Sequence, residues 1–341
     1  MNTLRATVIE RGRSMGNREV VRDFHLHTYY SDGLYSPRVL LGEASKQGVA
    51  ELAITDHDSI GGLTEAGEAA TNLGITLIPG VEMSTEYLGV ETHILGYGFN
   101  PTNVLTSPLH EYMMRIRNVD YSWARRVVRL SQREPIIVSL GGGGRREISV
   151  HESELERFSQ STIPSYFHFG LLVKDKLESI APEFKDVPAR HIFYFLFRRK
   201  EQEYIDRYKD LFEKYGIENK EYWHVPREDL YLLAAPKVVE MLLRVGAIPV
   251  IAHPGETGLM EEQIRDMKKM GVKGVEVYTP KHDETQTTYY EGAADSYGLF
   301  RISGTDFHDP FHRNKVEIGR DKYGRRLTRG VSAEDLVRVG G

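Results

Sequence analysis

Residues 236–278 read PKVVEMLLRVGAIPVIAHPGETGLMEEQIRDMKKMGVKGVEVY. PKVVEMLLRVG and EEQIRDMKKMG carry apolar residues at helical spacing, and each hands over to a short Val- and Ile-rich run, AIPVIA and VKGVEVY, that suits a buried strand. A helix through Ala293 and Tyr297 then leads into the strand LFRIS. The same rhythm occupies residues 20–98. VVRDF, ending at Phe24, is followed by a polar loop and by PRVLLGEASKQG, whose Val39, Leu40 and Ala44 suit a helix packed on a sheet. The strand ELAIT, a helix through Ala69 and Ala70, the strand ITLIP and the run HILGY complete this half. Strands joined by helices predict an α/β fold with a parallel sheet, either a barrel of about seven strands or a doubly wound sheet.

Between Asn100 and Pro236 the rhythm breaks into long charged amphipathic patterns, HEYMMRIRNVDYSWARRVVRLSQ and HIFYFLFRRKEQEYIDRYKDLFEKYG. The expected organisation is a disordered tail over 1–19, a barrel from 20–99 and 237–341, and a largely helical insertion over 100–236. Gly141 to Gly144 lack the Lys and Ser or Thr of a phosphate loop and are expected to form a flexible connector. The aromatic run Phe193 to Phe197 reads as helix core rather than a base-stacking platform.

Composition narrows the function. The 341 residues include no cysteine, which excludes disulfide scaffolds, thiolate zinc sites and cysteine nucleophiles. A net charge of −5 argues against a protein that coats nucleic acid, so no stable duplex binding is expected. No run approaches the ~18 apolar residues of a membrane span, and the first residues lack the apolar block of a secretory signal; a cytoplasmic location is expected.

The thirteen histidines are unevenly placed. His25 and His27 follow the first strand, Asp56 and His57 the second, Glu82 the third, His253 follows AIPVIA, and Asp306 and His308 follow LFRIS. Carboxyl ends of parallel strands are where α/β folds build their sites. In His25-Leu26-His27, an extended backbone puts both imidazoles on one side and Leu26 on the other. Asp32 lies in the turn-forming Ser31-Asp32-Gly33, and can be a simple turn residue or a ligand. A carboxylate such as Glu82 at the end of a buried strand needs a partner, and a metal cluster is a natural one. Imidazole and carboxylate without thiolate suit zinc, manganese or iron, and more than four such residues implies two or three cations. Clustered divalent ions activate water and neutralise phosphoryl oxygens, so phosphoester hydrolysis is the favoured chemistry.

HLHTYYSDG, ITDHD, PGVEMS, HILGY, AHPGE and GTDFH, in that order, resemble the successive motifs of the polymerase and histidinol phosphatase (PHP) family of metal-dependent phosphoesterases. GVEVYTPKH and KVEIGRD are similar to the branch that contains nucleoside 3′,5′-bisphosphate phosphatases and 5′-3′ exoribonucleases. The resemblance covers about residues 20–100 and 236–320. It implies a distorted (β/α)7 barrel holding three metals. His25, His27, Glu82 and Asp306 would hold one ion, with Glu82 bridging to a second held by His93 and His253; Asp32, His57 and His308 would hold the third. By itself His93 would pass for a strand histidine. Asp56 is expected to orient an imidazole from outside the ligand set. His110, His151, His168, His191 and His224 match no motif.

The expected reaction is hydrolysis of a phosphomonoester of a small metabolite, nucleotide or short oligonucleotide by a metal-held hydroxide, with Asp306, His57 and His308 as candidate catalytic residues and His308 a possible proton donor. Arg117 and Arg125 are candidates to grip the rest of the substrate from an insertion that caps the barrel. The closing motif has Thr305 and Asp309 where the family more often has Ser and Gly, and Asp309 adds an acid that could repel an anion or accept a substrate hydroxyl. Alternatives are a phosphodiesterase acting on a cyclic phosphate or on RNA 5′ ends, and a silent metal-binding regulatory module. An amidohydrolase is disfavoured because no lysine is placed as a carbamylated bridge.

Overall fold

The computed structural model describes residues 19–158, 164, 166–197, 208–218, 232–310 and 316–338. Residues 1–18 of the expected tail, His224, and part of the second long charged pattern lie outside the described residues. The chain forms two compact units, residues 1–114 with 231–341, and residues 115–230.

The first unit is built on a seven-stranded sheet. Its strands are β1 (Val21–Asp23), β2 (Val49–Ile54), β3 (Thr76–Tyr87), β4 (Val90–Tyr97), β7 (Ile248–Ile251), β8 (Gly274–Tyr278) and β9 (Phe300–Ser303), neighbouring one another in that order. β1, β2 and β3 pair in parallel, as do β7, β8 and β9. The expectation of a wholly parallel sheet is corrected at β4, which runs antiparallel to both β3 and β7. Only Leu88 and Gly89 separate β3 from β4, with φ of 54° and 81°. Two residues allow a hairpin, whereas a parallel crossover needs about a dozen. β3 also runs on through PGVEMSTEY, so Glu82 sits within a strand rather than after one.

Beyond the ends of β1 and β9 the chain makes one parallel bridge, Leu26 to Phe307, supported by His27 N donating to Phe307 O at 3.0 Å and Asp306 N to His25 O at 2.8 Å. The sheet curls so that its edges meet there, without complete strand-to-strand closure. Phe24, Ile78, Leu95, Tyr97, Val250 and Ile302 fill its interior, and the buried Tyr97 hydroxyl donates to Phe24 O at 2.7 Å. Helices start and stop where local chemistry dictates. Ser36 caps Pro37–Lys46, a left-handed Gly74 ends Leu63–Leu73, and Asp283 with Gln286 forms a capping box on Glu284–Tyr297.

The second unit is mostly helical, including Glu152–Phe158, Tyr166–Ile180, Ala189–Phe197 and Lys209–Lys214. It also contains an antiparallel hairpin, β5 (Ile136–Ser139) and β6 (Arg145–Ile148). The glycine run expected as a flexible connector is the tip of that hairpin: Gly142 and Gly143 have φ of 79° and 84°, and Leu140 N donates to Gly144 O at 2.8 Å. The core here is apolar, with Trp123, Val127, Phe169 and Phe184 buried and Phe195 stacked on Phe212 at 3.9 Å. Among the described residues no helix is long and apolar enough to cross a membrane.

Candidate metal centre

The site assembles in the first unit from the segments that follow β1, β2, β7 and β9 and from residues within β3 and β4. Leu26 is fully buried and His25 and His27 alternate with it, turning both imidazoles to one side, with ring centroids 5.2 Å apart. The following turn closes through Gly33 N donating to Thr28 O at 2.9 Å. A Cβ on Gly33 would lie 2.3 Å from His27 O, so only glycine permits a turn tight enough to return Asp32 to the imidazoles. Asp32 is both the turn residue its sequence suggests and a neighbour of His308 Nε2, at 3.1 Å.

Glu82 is the hub. Its Oε2 lies 3.0 Å from His25 Nε2, 3.1 Å from His27 Nε2 and 3.3 Å from His57 Nδ1. Its Oε1 lies 3.0 Å from His93 Nδ1 and 3.1 Å from His253 Nε2. Asp306 Oδ1 adds a second acceptor, 3.1 Å from His25 Nε2 and 2.9 Å from His27 Nε2. Asp306 and His253 both have positive φ, 54° and 21°, which non-glycine residues adopt at an energetic cost that the surrounding packing must offset.

Three sets of ligand-type atoms converge: His27, Asp32, His57 and His308; His25, His27, Glu82 and Asp306; and His57, Glu82 and His93. Every ligand named from the sequence stands in one of these sets except His253, which reaches the cup through Glu82 Oε1. Hydrogen bonding alone does not account for the arrangement. His25 faces three carboxylates, Glu82, Asp306 and Glu276, with two ring nitrogens, and Glu82 Oε2 faces three imidazoles. His27 Nε2, His93 Nδ1 and Asp306 Oδ1 are buried close to these partners without hydrogen-bond geometry. Buried lone pairs directed at common points are what divalent cations require, and this N and O donor set fits zinc, manganese or iron.

The carboxylates give the cup a field that favours positive charge, with His57 the exception. Burial disfavours a charged His27, but Asp306 and Glu82 push it up to about 9; His93, facing Glu82 and Glu91, is likewise pushed up to about 10 against its burial. His57 is driven down to about 3 by burial, which Glu82 offsets only in part. Burial would raise the carboxyls of Glu82, Asp32 and Asp306, yet His25 beside the first, His308 beside the second and Lys281 beside the third hold them well below the usual carboxylate range.

The other residues singled out from the sequence stand outside these ligand sets. Asp56 accepts from Thr28 N and Thr28 Oγ1, both at 2.7 Å, and from Ser31 Oγ at 2.7 Å. It therefore braces the 28–31 turn, and the link to an imidazole runs through Ser31 Oγ, 3.5 Å from His27 Nδ1. Asp23 plays the matching part under the last loop, accepting from Thr305 N at 2.9 Å and Thr305 Oγ1 at 2.7 Å, so Thr305 supplies the hydroxyl a serine would. Asp309 is buried. Arg117 is buried, and Arg125 pairs with Glu152 and lies 5.5 Å over the Tyr121 ring.

Sequence reading missed Glu276 and Lys281. Glu276, fully buried in β8, accepts from His25 Nδ1 at 3.0 Å and His253 N at 2.8 Å. The available signal was an acid in the apolar run GVEVY, where burial is costly unless it has donors. Lys281 contacts Asp306 Oδ2 and, at 2.5 Å, Glu256 Oε2, so it supports a carboxylate rather than bridging ions.

Several known proteins are similar to this chain. A family profile described as PHP domain matches residues 23–220. The chain is 29% identical to a 3′,5′-nucleoside bisphosphate phosphatase of Chromobacterium violaceum, over 88% of this chain and 89% of that one. It is 26% identical to a 5′-3′ exoribonuclease of Haemophilus influenzae, over 88% of this chain and 93% of that one. The solved structure of an amidohydrolase from Chromobacterium violaceum with bound sulfate superposes with a TM-score of 0.58 at 26% identity, covering 87% of this chain and 90% of that one.

Proposed function

The chain belongs to the PHP family and is a metal-dependent phosphoric ester hydrolase; from that premise we propose that it hydrolyses a phosphomonoester of a small metabolite or nucleotide at a trinuclear centre on an incompletely closed barrel. The observation that carries this reading is Glu82, whose two oxygens face separate imidazole sets, His25 with His27 and His93 with His253. His25, His27, Glu82 and Asp306 would hold one ion, Glu82, His93 and His253 a second, and Asp32, His57 and His308 a third. Bound there, divalent ions supply Lewis acidity to phosphoryl oxygens and lower the pKa of water.

The protein's own groups do the arranging. His308 Nδ1 must carry a proton, because it lies 2.8 Å from the backbone oxygen of Asp306, which can only accept. That leaves Nε2, beside Asp32, as a lone-pair donor and makes His308 a ligand rather than a proton source in the loaded site. Lys281 occupies Oδ2 of Asp306 and leaves Oδ1 to face His25 and His27. Arg117 and Arg125 are proposed to grip the non-reacting part of the substrate.

A second reading, phosphodiester hydrolysis at RNA 5′ ends, is favoured by the similarity to an exoribonuclease. Metal analysis of the purified protein, then phosphate release from nucleoside mono- and bisphosphates, sugar phosphates, cyclic phosphates and short RNAs, tests both. Release from a monoester that His57→Ala abolishes is expected. Protein that binds no divalent ion, or turnover that His57→Ala leaves untouched, refutes the proposal.

A further inference from the structure

Resting on the metal-centre reading above, we infer that Glu276 is a positioning residue that fixes the ring orientation and tautomer of His25 and sets the backbone of His253, so that one carboxylate prepares ligands of two ions. Glu276 is fully buried between Val275 and Val277 in β8, and its two oxygens have different donors. Oε1 lies 3.0 Å from His25 Nδ1, and Oε2 accepts from the amide of His253 at 2.8 Å. An ionised carboxylate can only accept, so it holds the His25 ring proton on Nδ1. With a cation at the point shared with Glu82 Oε2 at 3.0 Å and Asp306 Oδ1 at 3.1 Å, the opposite nitrogen, Nε2, would present its lone pair there.

The second bond restrains His253 at its unusual φ of 21°. Gly304 seals the arrangement: a Cβ there would lie 2.4 Å from Glu276 Oε1 and 2.3 Å from His25 Cβ. The two oxygens thus meet donors of two ligand residues that follow different strands, β1 and β7.

Glutamine in place of Glu276 has the same shape but the wrong polarity. The His253 amide can only donate, so it takes the amide oxygen; the NH2 group is left facing His25 Nδ1. His25 must then accept there and carry its proton on Nε2, which blocks ligation. Zinc-loaded protein labelled with 15N at histidine reports the tautomer directly. His25, identified by the signal lost in His25→Asn, is expected to carry its proton on Nδ1. A proton on Nε2 in the wild-type protein overturns the inference without any Glu276 variant. In Glu276→Gln, zinc affinity at the affected sites is expected to fall about 10- to 100-fold, with the melting of zinc-free protein near wild type. Glu276→Asp, which keeps two acceptors, is expected to retain zinc better than Glu276→Gln. Wild-type affinity in Glu276→Gln, or the reverse order of the two variants, overturns the inference. Wild-type protein that takes up no zinc or manganese refutes instead the metal-centre reading beneath it.

Discussion

Both units have apolar cores, but only the first also buries a cluster of carboxylates and imidazoles. In the first, His25, His27, Glu82 and Glu276 are fully buried at the heart of the sheet. In the second, the interior is Trp123, Phe169, Phe184, Phe212 and their aliphatic neighbours. An apolar core is stable on its own terms, since burial alone drives it. A cup of carboxylates and imidazoles pays a desolvation cost that only paired charge and bound cations offset. Ion dependence is therefore expected of the cup and not of either apolar core, and that difference separates function from scaffold.

The sharpest way to break the contrast is Glu82→Gln, which removes the charge facing both imidazole sets. We expect kcat/KM to fall at least ~1000-fold, about 4 kcal/mol of transition-state stabilisation, with loss of bound ions measured by mass spectrometry. Activity within tenfold of wild type would show that the cup is structural. The complementary change, Phe169→Ala, empties a fully buried site in the other interior. It should cost about 3–5 kcal/mol of stability in denaturant unfolding, with ion content per folded chain unchanged; a parallel loss of ions would mean the two interiors are not independent.

Smaller is the effect of any single ion. For each site held at free manganese a hundredfold above its Kd, stability should rise by about 2.7 kcal/mol over chelated protein. Amide exchange should slow around residues 25–33 and 304–308, and uniform protection extending through 115–230 would contradict the expected localisation. The smallest effect is assigned to Arg125→Ala, a several-fold rise in KM worth about 1 kcal/mol with kcat held. Unchanged kinetics would leave Arg125 as the partner of Glu152 only.

Legibility in the sequence followed the range of each signal. HLH, ITDHD and GTDFH announce themselves because ligand residues crowd into short loops after apolar runs. His93 and Glu276 do not, since each is a lone polar residue inside a strand and nothing local says which face it turns or what waits there. The antiparallel β4 was hidden for a related reason: ITLIP and HILGY read as separate strands, while direction depended on the two-residue turn at Leu88 and Gly89. The β5–β6 hairpin was masked by glycines that sequence alone cannot distinguish from a connector.

What the sequence by itself determined was the alternation of strand and helix, the absence of thiolate chemistry, and the placing of imidazoles and carboxylates where strands end, all consequences of short-range periodicity and residue type. Only the tertiary structure decided that Glu82 turns one oxygen to His25 and the other to His93, that Asp56 serves a turn, and that Glu276 meets both His25 and the His253 amide. Those assignments depend on angles between side chains distant along the chain, which are set by sheet register and curl.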